Sequence, residues 1–228
     1  MTNAARPLNL PNPPSLPGPF RAAIFDMDGL LLDTEPLWHD AERELLERHG
    51  DTFSDADMEE SHGRAVADTA RAHASRLGLP AEVIEDEIVE IMLAHYAAGA
   101  PLRPGARELV QALDGRIALG VASNTYAALV HRALEASGLE ALQLVVSGAD
   151  MGRPKPLPDV YAEVCRALGV APADAIAFED SPMGVKSAVT AGLVVVAVPD
   201  RPGVEADLWA AGAHHVVASL ADVVITPG

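Results

Sequence analysis

One cysteine, Cys165, is all the chain contains, so no disulfide can close within it. The helix-like stretch Val160–Leu168 around it has no spacing of metal-binding side chains, and a buried apolar role is expected for it. Long apolar runs are missing too. None approaches the roughly 20 residues needed to cross a bilayer, and residues 1–19 hold six prolines where a signal peptide would need an apolar stretch. A cytoplasmic protein with no membrane partner is the expectation. Positive charge is scarce: 16 Lys and Arg stand against 33 Asp and Glu, a formal net charge of −17 at pH 7. That balance argues against nucleic acid or an acidic membrane as a partner. It also constrains any phosphate site, because like charges about 4 Å apart repel by about 1 kcal/mol in water and by about 4 kcal/mol at an effective dielectric of about 20. A phosphate ligand here needs a local cation.

What the chain does have is a core's worth of apolar residues, 49% of 228, enough for one large domain or a core with a smaller lobe. Residues 1–19, rich in Pro and Asn and without periodicity, read as a disordered or loosely packed tail. Ala22–Phe25 is a short apolar run ending at Asp26, the pattern of a buried strand. From about Pro36 to Ala98 the pattern is helical, with Leu45, Leu46, Val83, Ile84, Ile88, Ile91 and Met92 set among charges. Beyond Pro101 and Pro104 it alternates. Helices are expected at Gly105–Leu113, Tyr126–Ser137, Asp159–Leu168 and Met183–Ala191, and strands at Ile117–Ala122, Leu144–Val146, Ala175–Phe178 and Leu193–Val198. Such alternation predicts an α/β fold, a doubly wound parallel sheet with helices on both faces. The expected division is a core of residues 20–33 and 102–228 with an inserted all-α lobe, residues 34–101. Pro36, Pro101 and Pro104 stiffen the two connections, which can act as a hinge. The sequence sets no oligomeric state.

In an open parallel sheet, ligands sit outside the carboxyl ends of the strands. Asp26, then Ser123 and Asn124, then Glu179, Asp180 and Ser181 each follow a predicted strand, so three strands aim polar groups at one edge. Asp26 and Asp28, two apart, lie on the same side of an extended chain. The stretch Phe-Asp-Met-Asp-Gly-Leu-Leu-Leu-Asp-Thr-Glu, residues 25–35, resembles the first motif of the haloacid dehalogenase superfamily, in the branch of phosphoglycolate phosphatases and β-phosphoglucomutase. Ser123 in Val-Ala-Ser-Asn-Thr looks like its second motif, Lys155 in Lys-Pro-Leu-Pro-Asp like its third, and Glu179-Asp180-Ser181 with Gly184 like its fourth.

The resemblance implies that Asp26 is a covalent nucleophile and Asp28 a general acid and base. It implies that Ser123, Asn124 and Lys155 hold phosphate, and that Asp26, Asp28, Glu179 and Asp180 gather around Mg2+, the inserted helices forming a cap. The residue types suit these tasks. An aspartate with an ordinary pKa near about 3.9 is ionised at neutral pH without a base to activate it. Magnesium takes oxygen ligands, one or two of them carboxylates, so Asp26, Asp180 and a backbone carbonyl near Asp28 can serve it. Asp28 would protonate the leaving alkoxide and then deprotonate water. The family's dehalogenases lack an acid at that position, which disfavours carbon–halogen cleavage.

Other residues carry two readings. Gly29 permits a positive φ in the turn that releases the cap segment. Arg153 stands near Lys155 and could share its cationic role. Trp38 sits where β-phosphoglucomutase has a cap histidine, with His39 next to it, which weakens a mutase reading. Trp38, His62 and Arg64 fall where the cap faces substrate and are candidate leaving-group contacts. Trp209 reads as a packing residue, and His214-His215 as the entry to a late strand. The expected activity is magnesium-dependent hydrolysis of a small phosphate monoester through an aspartyl-phosphate. The alternatives are a hexose-phosphate mutase and a non-catalytic binding protein of the same fold.

Overall fold

The computed structural model describes residues 20–61 and 65–224, together with the pair Leu8–Asn9, which runs parallel to Val223–Val224. The rest of the segment read as a loose tail, and the candidates His62 and Arg64, lie outside the described residues.

Six strands form one sheet: β1 (Ala22–Phe25), β2 (Ala118–Ser123), β3 (Val145–Ser147), β4 (Ala175–Glu179), β5 (Val194–Ala197) and β6 (His215–Val216). Their order is β3-β2-β1-β4-β5-β6, and each neighbouring pair is parallel. The central strands are short apolar runs because both faces are covered. Alternate residues serve opposite sides: Ala23, Phe25, Ile176, Phe178, Val194 and Val196 join one apolar cluster, while Ala22, Ile24, Ala175, Ala177, Val195 and Ala197 join the other. Phe25 and Phe178 stack across β1 and β4 with ring centroids 5.0 Å apart. Burying each such side chain is worth about 1.5–3 kcal/mol.

Five helices separate β1 from β2, and the first four are α1 (Glu35–Arg48), α2 (Asp55–Ser61), α3 (Val66–Leu77) and α4 (Ala81–Ala97). Pro36 and Glu35 suit the first turn of α1, where a missing N–H is harmless and an acid meets the positive end of the helix dipole. Ala41 and Leu45 of α1, Ala70 and Ala74 of α3, and Ile84, Ile88 and Met92 of α4 pack together. Between α1 and α3 a buried histidine, His73, bonds Glu42 at 2.8 Å. The remaining helices are α5 (Ala106–Leu113), α6 (Ala127–Ala136), α7 (Asp159–Leu168), α8 (Pro182–Ala191) and α9 (Glu205–Ala210). α5 and α6 cover the sheet face shared with the inserted helices, and α7, α8 and α9 cover the other, which is the doubly wound arrangement. α4 lies against α6, and the Tyr126 hydroxyl bonds Glu85 across that contact.

Cys165 is buried as expected, and burial pushes its thiol up to about 11. Trp209 is not the packing residue expected: it is 53% exposed on the short helix α9. Among the described residues no helix is long and apolar enough to cross a membrane. β1 has β2 on one side and β4 on the other, so the strand order reverses there and a crevice opens beyond its carboxyl end.

Candidate active site

Asp26 is the first residue past β1, and its N–H donates to the Phe178 carbonyl at 3.0 Å. The chain then turns through Gly29, whose φ of 80° favours glycine. Space demands glycine there as well, because an added Cβ would strike the Asp180 carboxylate. The turn therefore sets the distance between the first and fourth sequence motifs.

Lys155 reaches the same place from the loop before α7 and is 5% exposed. Its ammonium donates to Asp26 Oδ1, and to Glu179 Oε1 at 2.6 Å. Asn124 clamps its backbone, Oδ1 accepting the Lys155 N–H at 2.7 Å and Nδ2 donating to the Lys155 carbonyl at 3.4 Å. Behind the ammonium stands Tyr161, its ring centroid 5.2 Å from Nζ and its hydroxyl donating to Glu179 Oε1 at 2.7 Å. The other carboxylate oxygen, Oε2, accepts the Asp180 N–H and the Ser181 hydroxyl, both at 3.2 Å. Gly184 leaves room for this group, since a Cβ there would overlap it.

Glu179 is thus fully buried behind Lys155 and does not line the cavity, with both oxygens engaged. It does not take the place expected of a metal ligand. Consecutive strand residues face opposite ways, and it is Asp180 that lines the crevice.

Asp28 collects donors from both sides of the crevice. Oδ1 accepts the Thr34 hydroxyl at 2.7 Å, the Tyr96 hydroxyl at 3.1 Å and Trp38 Nε1 at 3.4 Å. Oδ2 accepts the Thr125 hydroxyl at 2.8 Å and the Ser123 hydroxyl at 3.4 Å. Three of these groups belong to the segment between β1 and β2, and two stand at the carboxyl end of β2, Ser123 its last residue and Thr125 just beyond it. The Asp28 side chain is therefore occupied, and only its backbone carbonyl is left for the metal role expected of it.

These residues share a cavity of ≈ 380 Å³ lined by Asp26, Asp28, Ser123, Asn124, Thr125, Lys155 and Asp180 on one side and by Trp38, Glu42, Val66 and Thr69 on the other. Burial pushes Asp26 up to about 8; Lys155 opposes the rise, and Glu179 and Asp28 add to it. Asp180 is raised well above the usual carboxylate range by burial, then by Asp26 and Glu179. Burial alone would lower Lys155, yet Asp26 and Glu179 hold it above the ordinary lysine value. With Lys155 as its neighbouring cation, this environment favours the protonated form of Asp26, a direction that a metal bound there would reverse. Desolvation outweighs the single ammonium.

Two carboxylates beside a buried lysine at the switch point of a doubly wound sheet is an arrangement that can be compared with known proteins. Residues 20–192 match the family described as haloacid dehalogenase-like hydrolase. The chain belongs to that family. Over 190 residues it is 31% identical to validoxylamine A 7'-phosphate phosphatase of Streptomyces hygroscopicus subsp. limoneus, covering 82% of this chain and 89% of the relative. CbbY from Rhodobacter sphaeroides, solved in complex with phosphate, superposes with a TM-score of 0.79 at 28% identity, covering 89% of this chain and 95% of that one. A putative β-phosphoglucomutase from Thermotoga maritima gives a TM-score of 0.74, also at 28% identity, over 89% of this chain and 96% of that one.

The residues present fit the family's divalent cation. Asp26 and Asp180 both face the cavity, and Asp26 raises Asp180 while Glu179 and Asp28 raise Asp26, so the site holds more negative charge than Lys155 offsets. All the donors are oxygens, which suit a hard cation, and two carboxylates with a carbonyl is a set magnesium accepts. Among the described residues no group of three or more His, Cys, Asp or Glu is disposed to hold a metal.

Elsewhere the haloacid dehalogenase-like core departs from expectation. Asn124 lines the cavity with its side chain committed to Lys155. Arg153 shares nothing with Lys155: it is exposed and paired with Asp159 at 2.7 Å. Trp38 lines the cavity and points its N–H at Asp28. Sequence reasoning missed Thr125, Tyr96 and Tyr161, whose hydroxyls make the shortest contacts to Asp28 and Glu179 after Thr34 and Lys155. Thr125 carried a signal, following Ser123 by two in the same polar turn. The tyrosines carried none.

Proposed function

We propose that this chain is a magnesium-dependent phosphatase of small phosphate monoesters, such as sugar phosphates, working through a phosphorylated Asp26. The observation that carries it is the convergence of Asp26, Asp28, Ser123 and Lys155 on one cavity from three different strand ends. The same reading divides the chain into a catalytic core, residues 20–33 and 102–228, and a cap, residues 34–101.

Asp26 attacks phosphorus, and the bond to the leaving oxygen breaks as Asp28 gives that oxygen its proton. Asp28 then takes a proton from water, whose oxygen attacks phosphorus, releasing inorganic phosphate and restoring the Asp26 carboxylate. Four of the five groups on Asp28 are hydroxyls, which accept as readily as they donate. The cradle therefore serves both the acid and the carboxylate that the two steps need. Ser123 and Lys155 bind the transferring phosphoryl oxygens, Lys155 being fixed by Glu179 so that its charge stays beside the nucleophile. Held by Asp26, Asp180 and the Asp28 carbonyl, magnesium would supply the positive charge that keeps Asp26 ionised and offsets repulsion from the phosphate.

The phosphate monoester named for the Streptomyces relative supports hydrolysis. The mutase-like structural neighbour keeps phosphoryl transfer between hydroxyls as the rival, but the place of the mutase histidine is taken by Trp38, which cannot exchange a proton at neutral pH. Phosphate release from a panel of esters is expected with magnesium, with a fall of at least about 10³-fold in Asp26→Asn and about 10²- to 10⁴-fold in Asp28→Asn. Full activity in both variants would sink the mechanism. Conversion of β-glucose 1-phosphate to glucose 6-phosphate with little free phosphate would install the mutase instead.

A further inference from the structure

The cavity that holds Asp26 continues onto α1 and α3, and Glu42 is part of that wall. It has no place in the steps above. Glu42 is 2% exposed and its partner His73 6%, with Oε2 and Nε2 at 2.8 Å. Burying such a pair between two helices carries a desolvation cost that an apolar pair would avoid, so packing α1 onto α3 does not call for it. Trp38 lies one turn before Glu42, and Thr69 one turn before His73, so all stand on the facing sides of the two helices. Trp38, Thr69 and Val66 line the same wall. The result is a wall of Trp38, Val66 and Thr69 on which the Glu42 carboxylate is held still by a histidine, with Glu35 of α1 lining the same cavity.

We infer that this strip is the leaving-group subsite, that Glu42 accepts hydrogen bonds from a polyhydroxylated leaving group, and that His73 is the positioning residue that fixes it. The inference rests on the phosphatase reading of Asp26 and narrows it to esters of polyols and sugars. A leaving group with its own carboxylate meets like charge at Glu42 and is disfavoured.

The test compares kcat/KM for a hexitol phosphate and for phosphoglycolate in wild type and Glu42→Gln. Glutamine keeps the size and can still bond His73, but the charge is gone. The polyol ester is expected to lose about tenfold, the worth of a hydrogen bond to a charged acceptor, while phosphoglycolate gains as repulsion is lifted. The two kcat/KM values move in opposite directions and their ratio changes by more than about tenfold, which no general loss of folding can imitate. His73→Gln moves the ratio the same way by less, chiefly through KM. Equal losses on both esters, or an unmoved ratio in an active enzyme, overturn the subsite. A wild-type enzyme that releases no phosphate from either ester or from p-nitrophenyl phosphate defeats the phosphatase reading, and the subsite falls with it.

Discussion

The two walls of the cavity are built on different rules. On the core wall each charge has one place: Lys155 bridges Asp26 and Glu179, Tyr161 and the Asp180 N–H hold Glu179, and Asn124 holds the backbone of Lys155. Each contact depends on the next in series. On the wall built by the inserted helices, groups act in parallel, as where Thr34, Trp38 and Tyr96 all reach one oxygen of Asp28. A series arrangement fixes a geometry and fails at any link. A parallel one tolerates change, which suits the wall proposed to face the leaving group.

The sharpest way to break that comparison is to cut the series at its centre. Lys155→Met leaves Asp26 and Glu179 buried together with no cation between them. Removing one partner of a buried ionic cluster destabilises by about 3–5 kcal/mol, and loss of a positioned charge at the phosphoryl group costs about 10²- to 10³-fold in kcat. Urea denaturation and steady-state kinetics measure the two. A variant as stable as wild type would show that the core wall is not held by its charges.

On the function proposed above, magnesium would act on the same wall. Asp26 stands near 3.8 in an unfolded chain and is raised to about 8 by burial. Between those values the metal-free folded state holds a proton that the unfolded chain has lost, so stability falls as pH rises through that window. Metal displaces that proton, and its binding is favoured toward the upper end. Melting in EDTA should therefore come earlier at about pH 8 than at about pH 6, and added magnesium should raise Tm more at the higher pH. The gain approaches about 2.7 kcal/mol at a hundredfold excess over Kd. A larger magnesium shift at the lower pH would contradict an Asp26-centred metal site.

The core wall was largely legible in the sequence, and the other was not. Strands buried on both faces are short apolar runs with polar residues at their carboxyl ends, so the places of Asp26, Ser123 and Asp180 at one sheet edge are legible in the sequence. The adjacent acids Glu179 and Asp180 went unseparated, although strand alternation turns them to opposite sides. Tyr161 and Tyr96 lie in apolar helical stretches and read as core, which they are; their hydroxyl partners lie 18 and 68 residues away. Glu42 shares α1 with Glu44 and Glu47, a pattern that reads as a solvated face. Only its pairing with His73, 31 residues on, makes it a buried group.

Those two tyrosines give the finest comparison of the walls. Both are fully buried, and each gives one hydroxyl to a site carboxylate, at 2.7 Å for Tyr161 and 3.1 Å for Tyr96. Phenylalanine removes the oxygen alone. Tyr161→Phe frees one donor of Glu179, whose remaining contact at Oε1 is Lys155, so stability should fall by about 1–3 kcal/mol. Lys155 loosens with it, and kcat/KM should drop by about tenfold. Tyr96→Phe leaves Asp28 with four other donors and should change either quantity by less than about 1 kcal/mol. The double variant should add the two losses, since the hydroxyls share no partner. Should Tyr96→Phe prove the costlier, Asp28 depends on a single contact after all, and the cap wall is in series with the core.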